Sequence, residues 1–176
     1  MPRLRFFVLI ALLPMVLALG GPGGAAAQER QASLADFAGP WVGRTGPDSD
    51  RARNGTVLVE RFAGDAFKIT WTSFERDPDE ADGVARRDRS LLFRPSRVPG
   101  IWIADPSDDP FDRLGAWARI EGPSLIVETV ALDGEGRLER QTYQRTLESG
   151  GLQLLYRRWL DHRLDREIAA RFIRLL

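Results

Sequence analysis

From residue 40 onward the chain is a succession of short runs in which apolar and polar residues alternate. Clusters of glycine, proline and aspartate separate them. The clearest run spans 66–75, with Phe67, Ile69 and Trp71 on one face and Lys68, Thr70 and Thr72 on the other. A period of two over that length predicts a strand with one buried side. The run before it, 56–62, is dense in β-branched residues, and Ala63-Gly64-Asp65 between them reads as a hairpin turn. Further strands are predicted over 40–44, 90–94, 100–104, 114–121, 124–132, 137–147 and 152–161. The turns between them fall at 95–99, 122–123, 133–136 and 149–151, and a short helical turn at 34–38. Segments 46–54, 76–89 and 105–112 are rich in turn formers and charge and read as loops.

The segment 164–176 fits two periods. Leu164, Ile168, Phe172 and Leu176 are spaced for one helix face, whereas Ile168, Ala170 and Phe172 alternate as a strand would. A strand is preferred, because the preceding turn is short and a sheet of this size gains by closing. The fold class expected is therefore all-β: an antiparallel up-and-down barrel of about eight to ten strands. Closure removes the bare hydrogen-bonding edges that an open meander leaves.

The first 27 residues are different in kind. Arg3 and Arg5 precede an apolar run from Phe6 to Leu19, and Ala25-Ala26-Ala27 supplies a small-residue cleavage pattern. This is the layout of a Sec-type signal peptide, cleaved after Ala27. The run is shorter than the ~20 residues of a spanning helix, so no transmembrane span is expected in the mature chain. The expected organisation is a signal peptide over 1–27, a flexible arm over 28–33 and one barrel domain over 34–176. The expected location is periplasmic or secreted, in a bacterium.

With no cysteine in the sequence, disulfide scaffolds, thiol chemistry, cysteine zinc sites and lipoprotein acylation are excluded. Acidic and basic residues balance at 25 each. Arg3 and Arg5 are the leader's only charges, so the mature form is slightly acidic, which does not favour nucleic acid as a partner.

Gly39-Pro40-Trp41, after a short turn and inside the first strand, resembles the Gly-x-Trp signature of the lipocalins and the wider calycin group. The order of an export leader, a tryptophan-bearing strand and a meander is also similar. The resemblance implies a barrel whose tryptophan plugs one end beneath an arginine from the last strand. Arg171 is the expected partner, with Arg174 the alternative. The chain has no pair of cysteines for the group's common disulfide, and no Thr-Asp-Tyr-type motif.

Strand 137–147 has no apolar face. Leu138, Arg140, Thr142, Gln144 and Thr146 share one side, and Glu139, Gln141, Tyr143, Arg145 and Leu147 the other. Either it is a solvated strand laced with ion pairs or one face lines a polar lumen. On the second reading Arg140, Thr142, Tyr156 and Arg158 hold an anionic head group, and Trp71 joins them as a ligand-binding residue. The five tryptophans otherwise read as core. The acidic segments 77–82 and 105–112 lack the ordered spacing of a calcium loop, so no metal site is expected. His162 beside Asp161 has no nucleophile motif to serve, so no catalytic residue, cofactor or enzymatic activity is expected. Asn54-Gly55-Thr56 matches a glycosylation sequon, which a bacterial chain would leave unused.

The function expected is an exported lipocalin-like barrel binding a small apolar or amphipathic molecule. The alternative is a packed barrel that contacts an envelope protein or inhibits a protease.

Overall fold

The computed structural model describes residues 31–45, 54–76, 84–105 and 115–175. Ten strands form one closed antiparallel barrel: β1 (Gly39–Thr45), β2 (Asn54–Arg61), β3 (Phe67–Arg76), β4 (Val84–Pro95), β5 (Ile101–Ala104), β6 (Gly115–Glu121), β7 (Ser124–Leu132), β8 (Leu138–Glu148), β9 (Gly151–Leu160) and β10 (Arg163–Arg174). Each strand pairs with its neighbour in sequence, and β1 pairs with β10 to close the wall. The up-and-down barrel expected from the alternation is the fold. The proposed leader, and most of the acidic segments 77–82 and 105–112, lie outside the described residues.

Segment 163–174, which fits two periods in the sequence, is the preferred strand, seated against β9 and β1. One element differs from the sequence reading. Strand β4 begins at Val84, six residues ahead of the predicted start, inside what reads as a loop. Residues 84–89 carry no apolar alternation, so they give no strand signal. They become strand because β3 continues opposite them, with pairing from Trp71↔Arg89 out to Arg76↔Val84.

The two ends of the barrel are unlike. At one end lie a short helix, α1 (Leu34–Phe37), the 3-10 turn Ala63–Asp65, and the turns after β4, β6 and β8. Leu34 and Phe37 are buried there over a core of Trp41, Phe67, Phe93, Leu152 and Phe172. The Phe67 and Phe93 rings stack at 4.9 Å, and Trp102 meets Phe67 edge-on at 5.7 Å. This is the floor. At the opposite end β1 leads to β2, β3 to β4 and β5 to β6, beside the hairpin turns at 133–136 and 161–162.

Two glycines shape the floor. Gly39 has φ 113°, a conformation that side-chain-bearing residues rarely adopt, and there the chain swings from α1 into β1. Gly43 faces Phe172, whose ring lies 2.6 Å from where a Cβ would stand. The missing side chain lets the ring lie flat against the backbone of β1.

Candidate functional site

Register decides which side chains point inward. Trp41, Val57, Val59, Phe67, Ile69, Leu91, Phe93, Ala118, Leu125, Val127 and Leu152 are buried in the interior, and their strand parity extends along each strand. On β8, Tyr143 stands opposite Val127 and Arg145 opposite Leu125. The inner face of β8 is therefore Glu139, Gln141, Tyr143, Arg145 and Leu147. On β9 the inner set includes Leu154, Tyr156 and Arg158, because Tyr156 faces Tyr143 and Leu154 faces Arg145.

This corrects two of the expected ligand residues. Arg140 and Thr142 belong to the outer face of β8. Arg140 lies over the Trp159 ring, its guanidinium carbon 4.4 Å from the centroid, and both residues are on the outside of the wall. With no apolar contrast between its faces, β8 alone does not reveal which side turns in. Trp71, Tyr156 and Arg158 do lie inside. Among the tryptophans, Trp41, Trp71 and Trp102 point inward, whereas the parity of Trp117 and Trp159 turns them out, against the reading that all five are core.

The plug arginine is also corrected. Arg174 lies 4.6 Å from the Trp41 ring centroid, and its Nη2 donates to the Asp36 carbonyl at 2.6 Å. Trp41 Nε1 donates to the Phe37 carbonyl at 2.9 Å. Arg171 is exposed, on the opposite parity of β10 from buried Ala170 and Phe172.

Inside the half of the barrel farther from α1, three rings meet in the interior, two of them side by side on the adjacent strands β8 and β9. Trp71 of β3 lies 5.8 Å from Tyr143, and Tyr143 lies 4.9 Å from Tyr156. The rings are tilted at 40° and 46° and do not stack flat. Beside them a polar ladder climbs the inner face of β8. The Tyr143 hydroxyl donates to Gln141 Oε1 at 2.5 Å, and Gln141 Nε2 donates to Glu139. Glu139 Oε2 lies 3.8 Å from Arg158 Nη1, and Arg158 Nε donates to Asp165 Oδ2 at 2.7 Å. The Asp165 hydrogen bond holds the Arg158 guanidinium above its ordinary pKa. Arg158 thus reaches the lumen with its charge already matched by two carboxylates. Thr129 of β7, 2% exposed, adds an inner hydroxyl opposite Gln141.

One position nearer the floor than Tyr143 lies Arg145, 2% exposed, with Leu125 and Leu154 opposite it on the adjacent strands. Its Nε and Nη1 have no hydrogen-bond partner. Its only ring contact among the described residues is Tyr143, 5.6 Å from the guanidinium carbon to the centroid. Burial pushes its pKa down to about 10, which leaves it a cation at neutral pH.

Tyr156 is the second perturbed group. Burial, helped by neighbouring Tyr143, raises its pKa well above 10.0, the value of an exposed phenol. The unfolded chain releases this proton near pH 10 and the barrel retains it. The resulting stabilisation is whole below about pH 10 and is lost as pH rises beyond it. In an alkaline titration followed at 295 nm, one of the two tyrosines is expected to ionise only as the β-sheet circular dichroism collapses. Full ionisation of both near pH 10 with the sheet intact would contradict a shielded Tyr156.

Asp161 and His162 form the two-residue turn between β9 and β10, both with positive φ. Asp161 Oδ1 accepts from the Leu138 backbone N–H at 3.1 Å, so its carboxylate secures the turn. Among the described residues no cluster of three His, Asp or Glu side chains is placed to hold a metal ion. None of the described helices is long and apolar enough to cross a membrane.

No family model matches the chain. The 5-methyltetrahydropteroyltriglutamate–homocysteine methyltransferase of Erwinia tasmaniensis is 27% identical over 96 residues, covering 43% of this chain and 12% of that protein. The corresponding methyltransferases of Salmonella paratyphi B and Salmonella newport are each 25% identical over 93 residues, 41% of this chain and 12% of theirs. The chain thus spans only a small fraction of the length of these curated relatives. Among solved structures, an S-type phycobiliprotein lyase from Guillardia theta covers 84% of this chain and 96% of its own, with a TM-score of 0.49 and 8% identity. The assignment of the barrel rests on its own strand register.

The inner residues that sequence reasoning missed are Glu139, Gln141, Tyr143 and Arg145. A usable signal was present. The two-residue turn Ser149-Gly150 fixes Glu148 opposite Gly151 and hence Arg145 opposite Leu154. The parity of β9 could have been carried across to β8.

Proposed function

We propose that this protein is a lipocalin-like binding protein, not an enzyme, which takes a small amphipathic molecule into the half of its barrel farther from α1. The observation that carries the reading is the inner wall there. Trp71, Tyr143 and Tyr156 supply apolar faces, while Gln141, Glu139, Arg158 and Thr129 line the same space with polar groups. A barrel stabilised only by its core has no need of such a wall, since each inward polar group is costly unless paired. The floor beneath is filled by Trp41, Phe67, Phe93 and Phe172, so a ligand enters from the opposite end. Affinity comes from burying its apolar body, at ~25 cal/mol per Å². Export to the periplasm or beyond is part of the proposal and rests on the leader pattern.

The test is twofold. Natively purified protein is extracted into organic solvent and searched for a stoichiometric small molecule. The stripped protein is then titrated with N-phenyl-1-naphthylamine, a neutral fluorophore. One-to-one binding with a blue-shifted emission is expected. Absence of both an extracted molecule and probe binding would overturn the proposal.

A further inference from the structure

We infer that Arg145 is an anion anchor at the bottom of the binding space, and that the molecule this barrel takes up is an organic acid entering head group first. The inference rests on the lumen-binding reading above and specifies its ligand class.

The argument begins with burial. A guanidinium in an apolar interior forfeits its hydration, and that loss is recovered only through charge pairing and hydrogen bonds. Arg145 is 2% exposed, with Nε and Nη1 unpartnered. Its flanking residues, Leu125 and Leu154, are apolar. The inward carboxylate on its own strand, Glu139, is engaged with Gln141 and Arg158. What Arg145 does have is the face of Tyr143 at 5.6 Å, an interaction weaker than an ion pair.

Arg158 is the instructive contrast. It points into the same lumen, yet Asp165 and Glu139 satisfy it. Of these two arginines, the one nearer the mouth is paired, and the deeper one keeps Nε and Nη1 without a hydrogen bond. A carboxylate or sulfonate is the group whose geometry and charge complete a guanidinium. Arg145 lies between the aromatic trio and the floor, one inward position below Tyr143 on β8. An acid bound there places its apolar body against Trp71, Tyr143 and Tyr156.

Two fluorophores of the same skeleton separate charge from bulk. 8-Anilinonaphthalene-1-sulfonate carries the anion, and N-phenyl-1-naphthylamine lacks it. The quantity read is the ratio of their dissociation constants on the folded protein. In the unsubstituted protein the sulfonate is expected to bind the more tightly. Arg145→Met should lower the neutral-to-anionic ratio at least tenfold while leaving the neutral probe within about threefold. Arg145→Lys, which keeps a charge without the fork, should retain part of the preference. Arg140→Met removes an equal charge from the outer wall and should leave the ratio unchanged. If both probes bind and the Arg145→Met ratio equals that of Arg140→Met, the anchor is refuted and lumen binding stands. If neither probe binds the unsubstituted protein, lumen binding falls and the anchor with it. Circular dichroism of each variant confirms the barrel, and Arg145→Lys decides the matter should Arg145→Met not fold.

Discussion

Trp41→Ala should be the most damaging single substitution proposed here, costing about 4 kcal/mol, within the range for truncating a buried large aromatic side chain. For a domain of this size that lowers the melting temperature by about 10 °C. Three losses coincide at this position. The indole is 3% exposed and fills the floor against α1. Its Nε1–H satisfies the Phe37 carbonyl, which would be left buried without its donor. Its ring face carries the Arg174 guanidinium, which also reaches the Asp36 carbonyl and so ties the end of β10 to α1. Arg174→Ala should cost about 1 kcal/mol, the scale of a cation–π contact. Arg171→Ala, on the exposed side of the same strand, should stay within about 0.5 kcal/mol. Thermal melts of the three variants order them. Equal losses for Arg171→Ala and Arg174→Ala would mean that the floor is not held by the Trp41–Arg174 pair.

Arg145→Met is expected to act in the opposite direction. Replacing a buried guanidinium whose Nε and Nη1 lack hydrogen bonds by an apolar side chain of similar length removes a desolvation cost and orphans no carboxylate. A gain of about 3 kcal/mol follows, at the upper part of what such replacements deliver, and roughly 8 °C in melting temperature. The downward displacement of the Arg145 pKa by burial has the same origin as this cost. A group that destabilises the resting protein and is nonetheless kept inside it marks a place where function and stability oppose one another. An unchanged or lowered melting temperature for Arg145→Met would show that the guanidinium is satisfied in the folded state.

The barrel was legible in the sequence because its evidence is local. Alternation at Phe67, Ile69 and Trp71 needs no knowledge of distant residues, and the turns at 63–65, 122–123, 133–136 and 149–150 delimit strands wherever they pack. The proposed binding wall was half legible for the converse reason. Inward and outward faces are separable only where one is apolar, and β8 is polar on both. Arg140 and Arg145 are equivalent as letters; the pairing Leu125↔Arg145 is what sends one into the core. The same holds for Arg171 and Arg174, three residues apart and hence on opposite sides of β10. The start of β4 was hidden because residues 84–89 are strand by virtue of β3 opposite them, not by their own preference.

The seam between β1 and β10 bears on how the chain is assembled. Every other pairing joins strands consecutive in sequence, so hairpins can form piecemeal as the polypeptide is delivered, at small entropic cost. The wall stays open until β10 arrives, and for that interval β1 and the newest strand both present unpaired backbone to whatever is nearby. Misassociation between nascent copies would be concentrated at those two edges, and a partner able to shield β1 would protect the protein for the whole time it lacks its last stave.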